Sequence, residues 1–169
     1  MIYALLLCVL PLDGSVIFCS DGFLSKPIAK HTGSSISHTA IILYEGGKPI
    51  VFEATWPRVK RTPLDEYIKQ LEHHKRKRPG FNWVILQPKQ KYTDTELESM
   101  KRYARSQLGR PYMLRGWWKG REVRGIFCSQ YVGNVLEKSG RIISANYKET
   151  PISLRQKLSN LYVLPERRP

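Results

Sequence analysis

Three side chains of the types that make up a nucleophilic triad stand far apart in this chain: His38, Glu53 and Cys128. Cys128 begins CSQYVGNVLEKSG, where Val132, Val135 and Leu136 share one face and Ser139-Gly140 supplies a stop, so the spacing predicts a helix of about three turns. In its first turn, unpaired backbone N–H groups and the positive helix end favour thiolate over thiol, and thiolate is the nucleophile. The competing reading is a small buried hydrophobe, which the cysteine taken alone favours.

His38 and Glu53 bear on that choice. SHTAIILYEGGKPIVFEAT carries two runs of β-formers around Glu45-Gly46-Gly47-Lys48, a hairpin signal. A turn symmetric about the two glycines pairs Tyr44 with Pro49, Ile42 with Val51 and Ala40 with Glu53, and by period 2 His38 then shares a face with Glu53. Diagonal neighbours lie roughly 5 to 8 Å apart at Cβ, close enough for an imidazole and a carboxylate to meet. That is a base with its orienting partner. A loop of odd length would put Glu53 on the opposite face. Singly, a histidine at a strand start and a glutamate at a strand end are ordinary solvated residues. A carboxylate inside IVFEAT, however, needs a partner, and His38 is the nearest.

The elements that must position these groups follow from periodicity. GSVIF (Gly14–Phe18) reads as a buried strand, SKPIAKHTG as one or two helical turns ending at Gly33, and RVKRTP as an edge-like strand. LDEYIKQLEHH places Leu64, Tyr67, Ile68 and Leu71 at helical spacing and runs into a basic loop, HHKRKRPG. NWVILQP is a strand stopped by Pro88. Thr93 and Glu96 form a capping box, Leu97, Met100, Ala104 and Leu108 line the helix it opens, and Gly109 ends it. PISLRQKLS reads as a short helix and NLYVLP as a closing strand. Strands and helices segregate without a linker or repeat, which predicts a single α+β domain over residues 1–169.

Composition bounds the partners. Of 169 residues, 41% are hydrophobic and 25% charged, as in a folded domain, while 28 Lys+Arg against 14 Asp+Glu give +14. Such a surface attracts polyanions: an anionic membrane, an acidic cell-wall polymer or nucleic acid. Three cysteines without CxxC spacing indicate neither a disulfide framework nor a zinc knuckle, and Cys8 and Cys19 are read as structural. MIYALLLCVLPLDG lacks a cationic leader region and a small-residue cleavage site, so it reads as a buried strand or turn. No run reaches transmembrane length, and the expected location is the cytoplasm. His73-His74 with KRKR reads as a solvated basic loop able to touch polyanions, without specific nucleic-acid recognition. GWWKGREVRG interleaves Trp117 and Trp118 with cations. Either this is a substrate-side loop that stacks on sugar, lipid or base, or one tryptophan packs inside and the other covers the surface.

In order and spacing, SHTAIILYEGGKPIVFEAT, GRPY and FCSQYVGNVLEKSG resemble the circularly permuted branch of the papain-like NlpC superfamily, the YiiX-like group related to lecithin:retinol acyltransferase. The likeness spans Gly14 to Gly140, and the histidine strand precedes the cysteine helix, as in that branch. The resemblance implies a permuted papain-like α+β fold, an antiparallel sheet packed against helices that include the nucleophile helix. It implies Cys128 as nucleophile, His38 as general base, Glu53 as the third member that orients the imidazole, and Tyr112 of GRPY as a tyrosine beside the thiol that binds the substrate carbonyl or its oxyanion. The family's opening Gly-Asp step stands here as Asp13-Gly14, so no role carries over to Asp13.

The expected reaction is attack of the thiolate on a carbonyl carbon, an acyl-enzyme thioester, and release of the acyl group to water or another acceptor, with no metal or cofactor required. Peptide or peptidoglycan amides and lipid acyl groups are the expected substrates. The alternative is a non-enzymatic cationic module that binds polyanions through HHKRKR and GWWKGR and uses Cys128 only for packing.

Overall fold

A computed structural model describes residues 10–20, 32–115, 119–121 and 123–165. The expectations for Cys8 and the opening apolar run, for most of SKPIAKHTG, and for Trp117 and Trp118 lie outside the described residues. The centre of the fold is the hairpin of β2 (Ile36–Glu45) and β3 (Lys48–Ala54). Gly46 and Gly47 have φ of 55° and 75°, the two successive positive values that let a two-residue turn follow the right-handed twist of its strands. The turn has even length, so Tyr44 faces Pro49, Ile42 faces Val51 and Ile41 faces Phe52, the register its symmetry predicts.

β1 (Val16–Ser20) adds to the other side of β2, β4 (Val59–Pro63) is the edge beside β3, and β5 (Asn82–Pro88) joins β1 to the two-residue β6 (Tyr162–Val163). Among the described residues the order is β4-β3-β2-β1-β5-β6, every neighbouring pair antiparallel.

Both faces of the sheet are covered, which is why AIIL in β2 is an unbroken apolar run rather than an alternating one. Val16, Phe18, Ile41, Leu43 and Phe52 share a core with residues of α2 (Asp94–Ser106), α3 (Cys128–Glu137) and α4 (Pro151–Leu158). Ile17, Cys19, Ala40, Ile42 and Val51 pack on the other side against Leu64, Tyr67 and Leu71 of α1 (Leu64–Lys77).

Two helix ends differ from expectation. His73 to Lys77 continue α1 instead of forming a loop. Basic side chains in a last turn lie against the negative helix end, and Asp65 and Glu66 in the first turn complement the other end. α2 has its predicted capping box, with the Thr93 hydroxyl accepting from the Glu96 N–H and Glu96 Oε2 accepting from the Thr93 N–H at 2.7 Å. It stops at Ser106, however, before Leu108, which is 37% exposed and takes no place on the buried face.

Candidate active site

β2 begins and β3 ends at one end of the sheet, and that end carries His38 and Glu53. Their side chains meet there: His38 Nε2 lies 2.7 Å from Glu53 Oε2. Glu53 is only 4% exposed. It is satisfied on every side, with the Tyr67 hydroxyl donating to Oε2 at 3.2 Å and Lys60 Nζ 3.3 Å from Oε1. Lys60 is the residue directly opposite Glu53 on β4, and Tyr67 comes from α1. Across the other side of β2, Cys19 is the direct partner of His38 in the β1 ladder, buried and with a free thiol.

The nucleophile candidate arrives from the opposite layer. Cys128 is the first residue of α3, and the preceding Phe127 is extended and provides no side-chain cap, so the first N–H groups of the helix are left for another acceptor. The approach to the helix is tied by backbone. Met113 donates to Ile126, Ile126 donates to Pro111, and Tyr112 donates to Pro57 at 2.9 Å. Arg110 completes the tie, since its guanidinium donates to the carbonyls of Val123, Arg124 and Gly125. GRPY thus holds the lead-in to Cys128, and Tyr112 is 8% exposed, its pKa raised first by burial and then by the nearby charge of Cys128.

His38 bonds Glu53 through Nε2, which leaves Nδ1 as the ring atom for a thiol. Burial pulls the His38 pKa down, but the nearby Cys128 and the bonded Glu53 outweigh it and carry it up to about 10. For Glu53, burial acts upward and is outweighed by His38 and Lys60, which hold the carboxyl below its ordinary value. The site therefore favours imidazolium beside carboxylate. Burial, then the charges of Glu53 and Cys128, push the Cys19 thiol far up, so it stays neutral.

A small cleft of about 10 Å³, room for about one water, is lined by Leu114, Phe127 and the buried Cys128 and, from the far wall, Glu149, Thr150 and Pro151. The Ser129 hydroxyl donates to the Glu149 carbonyl at 2.9 Å and so fastens that wall to the first turn of α3.

Residues 11–157 match the model of a family described as permuted papain-like amidases, the YaeF/YiiX or C92 family. The chain belongs to the C92 family. A curated relative, the uncharacterized protein YiiX of Escherichia coli strain K12, is 29% identical over 130 residues, covering 76% of this chain and 59% of its own length. The chain thus spans under two thirds of that relative. A crystal structure titled as the metalloprotein YiiX from Escherichia coli O157:H7 superposes with a TM-score of 0.60 at 24% identity, covering 93% of this chain and 91% of that one. The α+β, permuted papain-like fold is thereby shared. In this C92 chain, no three His, Cys, Asp or Glu side chains among the described residues cluster so as to hold a metal ion.

Other residues at this site have little sequence signal. Periodicity marks Tyr67 only as an apolar-face position of a helix, RVKRTP contains Lys60 without singling it out, and nothing in the pattern points to Arg110. Cys19, structural by its sequence setting, is a buried free thiol that lies opposite His38. The signal for Lys60 was available, because extending the hairpin register by one strand would have placed a cation beside Glu53. Tyr67 had no such signal, since only the packing of α1 on the sheet brings it there. Asp13, left without a role, is structural: it accepts from the Tyr44 N–H at 3.1 Å and pairs with Lys101 at 2.9 Å. Trp56 was likewise unnoticed and stands 76% exposed, one residue before the carbonyl that holds Tyr112.

Proposed function

We propose that Cys128, His38 and Glu53 are a catalytic triad that hydrolyses an amide through an acyl-enzyme thioester. The observation that carries this reading is the 2.7 Å bond from the His38 imidazole to a buried carboxylate, with Cys128 at an uncapped helix N-terminus near enough to raise the imidazole's pKa. His38 Nδ1 takes the Cys128 proton, the thiolate attacks the carbonyl carbon, and the C–O π pair moves onto oxygen. The Cys128 N–H and the Tyr112 hydroxyl are the donors for that oxyanion, an interaction worth about 3 kcal/mol in comparable sites. Collapse breaks the C–N bond while the imidazolium gives its proton to the leaving amine. Water, deprotonated by the same imidazole, then releases the acid and restores the thiol.

A peptide or peptidoglycan amide is the preferred substrate, since the family is described as amidases. The +14 charge supports contact with an acidic cell-wall polymer or anionic membrane that carries it.

The test is mass spectrometry of Cys128 after exposure of the protein to peptidoglycan fragments and, separately, to phospholipid vesicles. A peptide-acyl adduct that is absent from Cys128→Ala is the expected result, and a fatty-acyl mass would transfer the assignment to lipid. No adduct with either, together with salt-sensitive retention on anionic polymer, would favour the polyanion-binding module.

A further inference from the structure

Glu53 is held from more directions than an orienting carboxylate needs. Around it stand His38 from β2, Lys60 from β4 and Tyr67 from α1, with Cys19 of β1 paired to His38 in the ladder. Of these, Tyr67 is the one whose presence ordinary packing does not explain. Leu64 and Leu71 fill the same stripe of α1 with aliphatic side chains, yet this position carries a hydroxyl, 4% exposed, directed at a single carboxylate oxygen. A buried hydroxyl is tolerated only with a partner, and here the partner is the same Oε2 that takes the His38 ring N–H.

We infer that Tyr67 is a positioning residue of this site: by donating to the histidine-bound oxygen of Glu53, while Lys60 holds the other oxygen, it fixes the carboxylate rotamer and through it the plane of the His38 imidazole. The inference rests on the triad reading. Its physical content is directional. A glutamate has three side-chain torsions, and a single bond to His38 would leave the carboxylate free to swing the ring with it. Two donors at 2.7 and 3.2 Å on one oxygen, and an ammonium at 3.3 Å from the other, leave one orientation. Burial and the Glu53 charge keep the Tyr67 hydroxyl protonated well beyond its ordinary range, so it remains a donor wherever the site works. α1 covers the sheet face opposite α3, so the orientation of the base is set by one layer and the nucleophile is delivered by the other.

The experiment is a double-mutant cycle on the full chain with Tyr67→Phe and Glu53→Gln, singly and together. It is read as the rate of Cys128 alkylation by iodoacetamide at pH 5.5, with the modified peptide identified by mass spectrometry and each variant's fold checked by circular dichroism. At that pH an isolated thiol is almost unreactive, so the rate reports the histidine-supported thiolate. Tyr67→Phe is expected to slow wild-type alkylation by about tenfold and to add less than about twofold in the Glu53→Gln background. A slowing of equal size in both backgrounds, or none in either, overturns the positioning role while leaving the triad intact. A wild-type Cys128 no faster than glutathione overturns the triad reading, and the positioning role with it.

Discussion

At the scale of the residue, the pairing of His38 with Glu53 is an electrostatic commitment that pH can undo. Glu53 is buried, yet His38 and Lys60 hold its pKa below the ordinary 4.5. A carboxyl whose folded value is depressed binds its proton more weakly when folded. Its contribution to stability is therefore complete above the unfolded value and disappears as pH falls through the folded one. Glu53→Gln is expected to melt below wild type at neutral pH, with the gap closing only as pH drops beneath about 4.5. Thermal melts from pH 3 to 8 check this, and a gap independent of pH would mean that the amide is disfavoured by packing rather than by lost charge. The residue types at these positions were legible in the sequence because a glutamate among Val51, Phe52 and Ala54 cannot be buried alone.

At the scale of the element, the placement of Cys128, the proposed nucleophile, depends on a short splice between two chain segments. Ile126 donates to the Pro111 carbonyl and accepts from the Met113 N–H, and Gly125 lies where that splice is tightest. A Cβ at Gly125 would stand 2.3 Å from the Met113 Cβ and 2.9 Å from the Pro111 carbonyl oxygen. Backbone on one side leaves little room to relax. Gly125→Ala is expected to lower stability by about 1 to 3 kcal/mol and to slow Cys128 alkylation, because the strain is released by moving the lead-in to α3. Urea unfolding and the alkylation rate measure the two effects, and a variant unchanged in both would show that the splice yields without consequence. The helix α3 was legible from its apolar spacing and stop. The splice was not, since it is made of isolated backbone bonds between residues about fifteen apart that carry no periodicity.

At the scale of the whole molecule, a second buried carboxylate holds together the wall of the cleft that lies across from Cys128. Glu149 is fully buried, takes the Ser153 hydroxyl at 2.6 Å, the Ala145 N–H at 2.8 Å and the Lys157 ammonium at 2.6 Å, and sits beneath the wall that faces Cys128. Lys157→Met would leave that charge buried without its cation. The expected loss is about 3 kcal/mol, the lower end for such pairs because 34% of the Lys157 side chain is in solvent. Adding Glu149→Gln is expected to recover part of it. Denaturant unfolding of both variants decides, and a single variant as stable as wild type would assign the clamp to Ser153 and the backbone. The positive charge of the chain belongs to this scale too, since it acts through the summed surface field rather than through any one lysine.

By itself the sequence determined the hairpin register, the face shared by His38 and Glu53, the cysteine helix and the α+β character, because each depends on local periodicity and turn chemistry acting over a few residues. Continuation of α1 through its basic turn escaped it, since a run of cations reads alike in a solvated loop and in a last helical turn. Tertiary structure alone decided that α1 reaches Glu53 from the far face with Tyr67, that Arg110 holds the carbonyls before α3, and that Cys19 lies opposite His38. Those contacts join segments that only the packing of helices on both faces of one sheet brings together, and their side chains read as ordinary core or surface until the partner is in place.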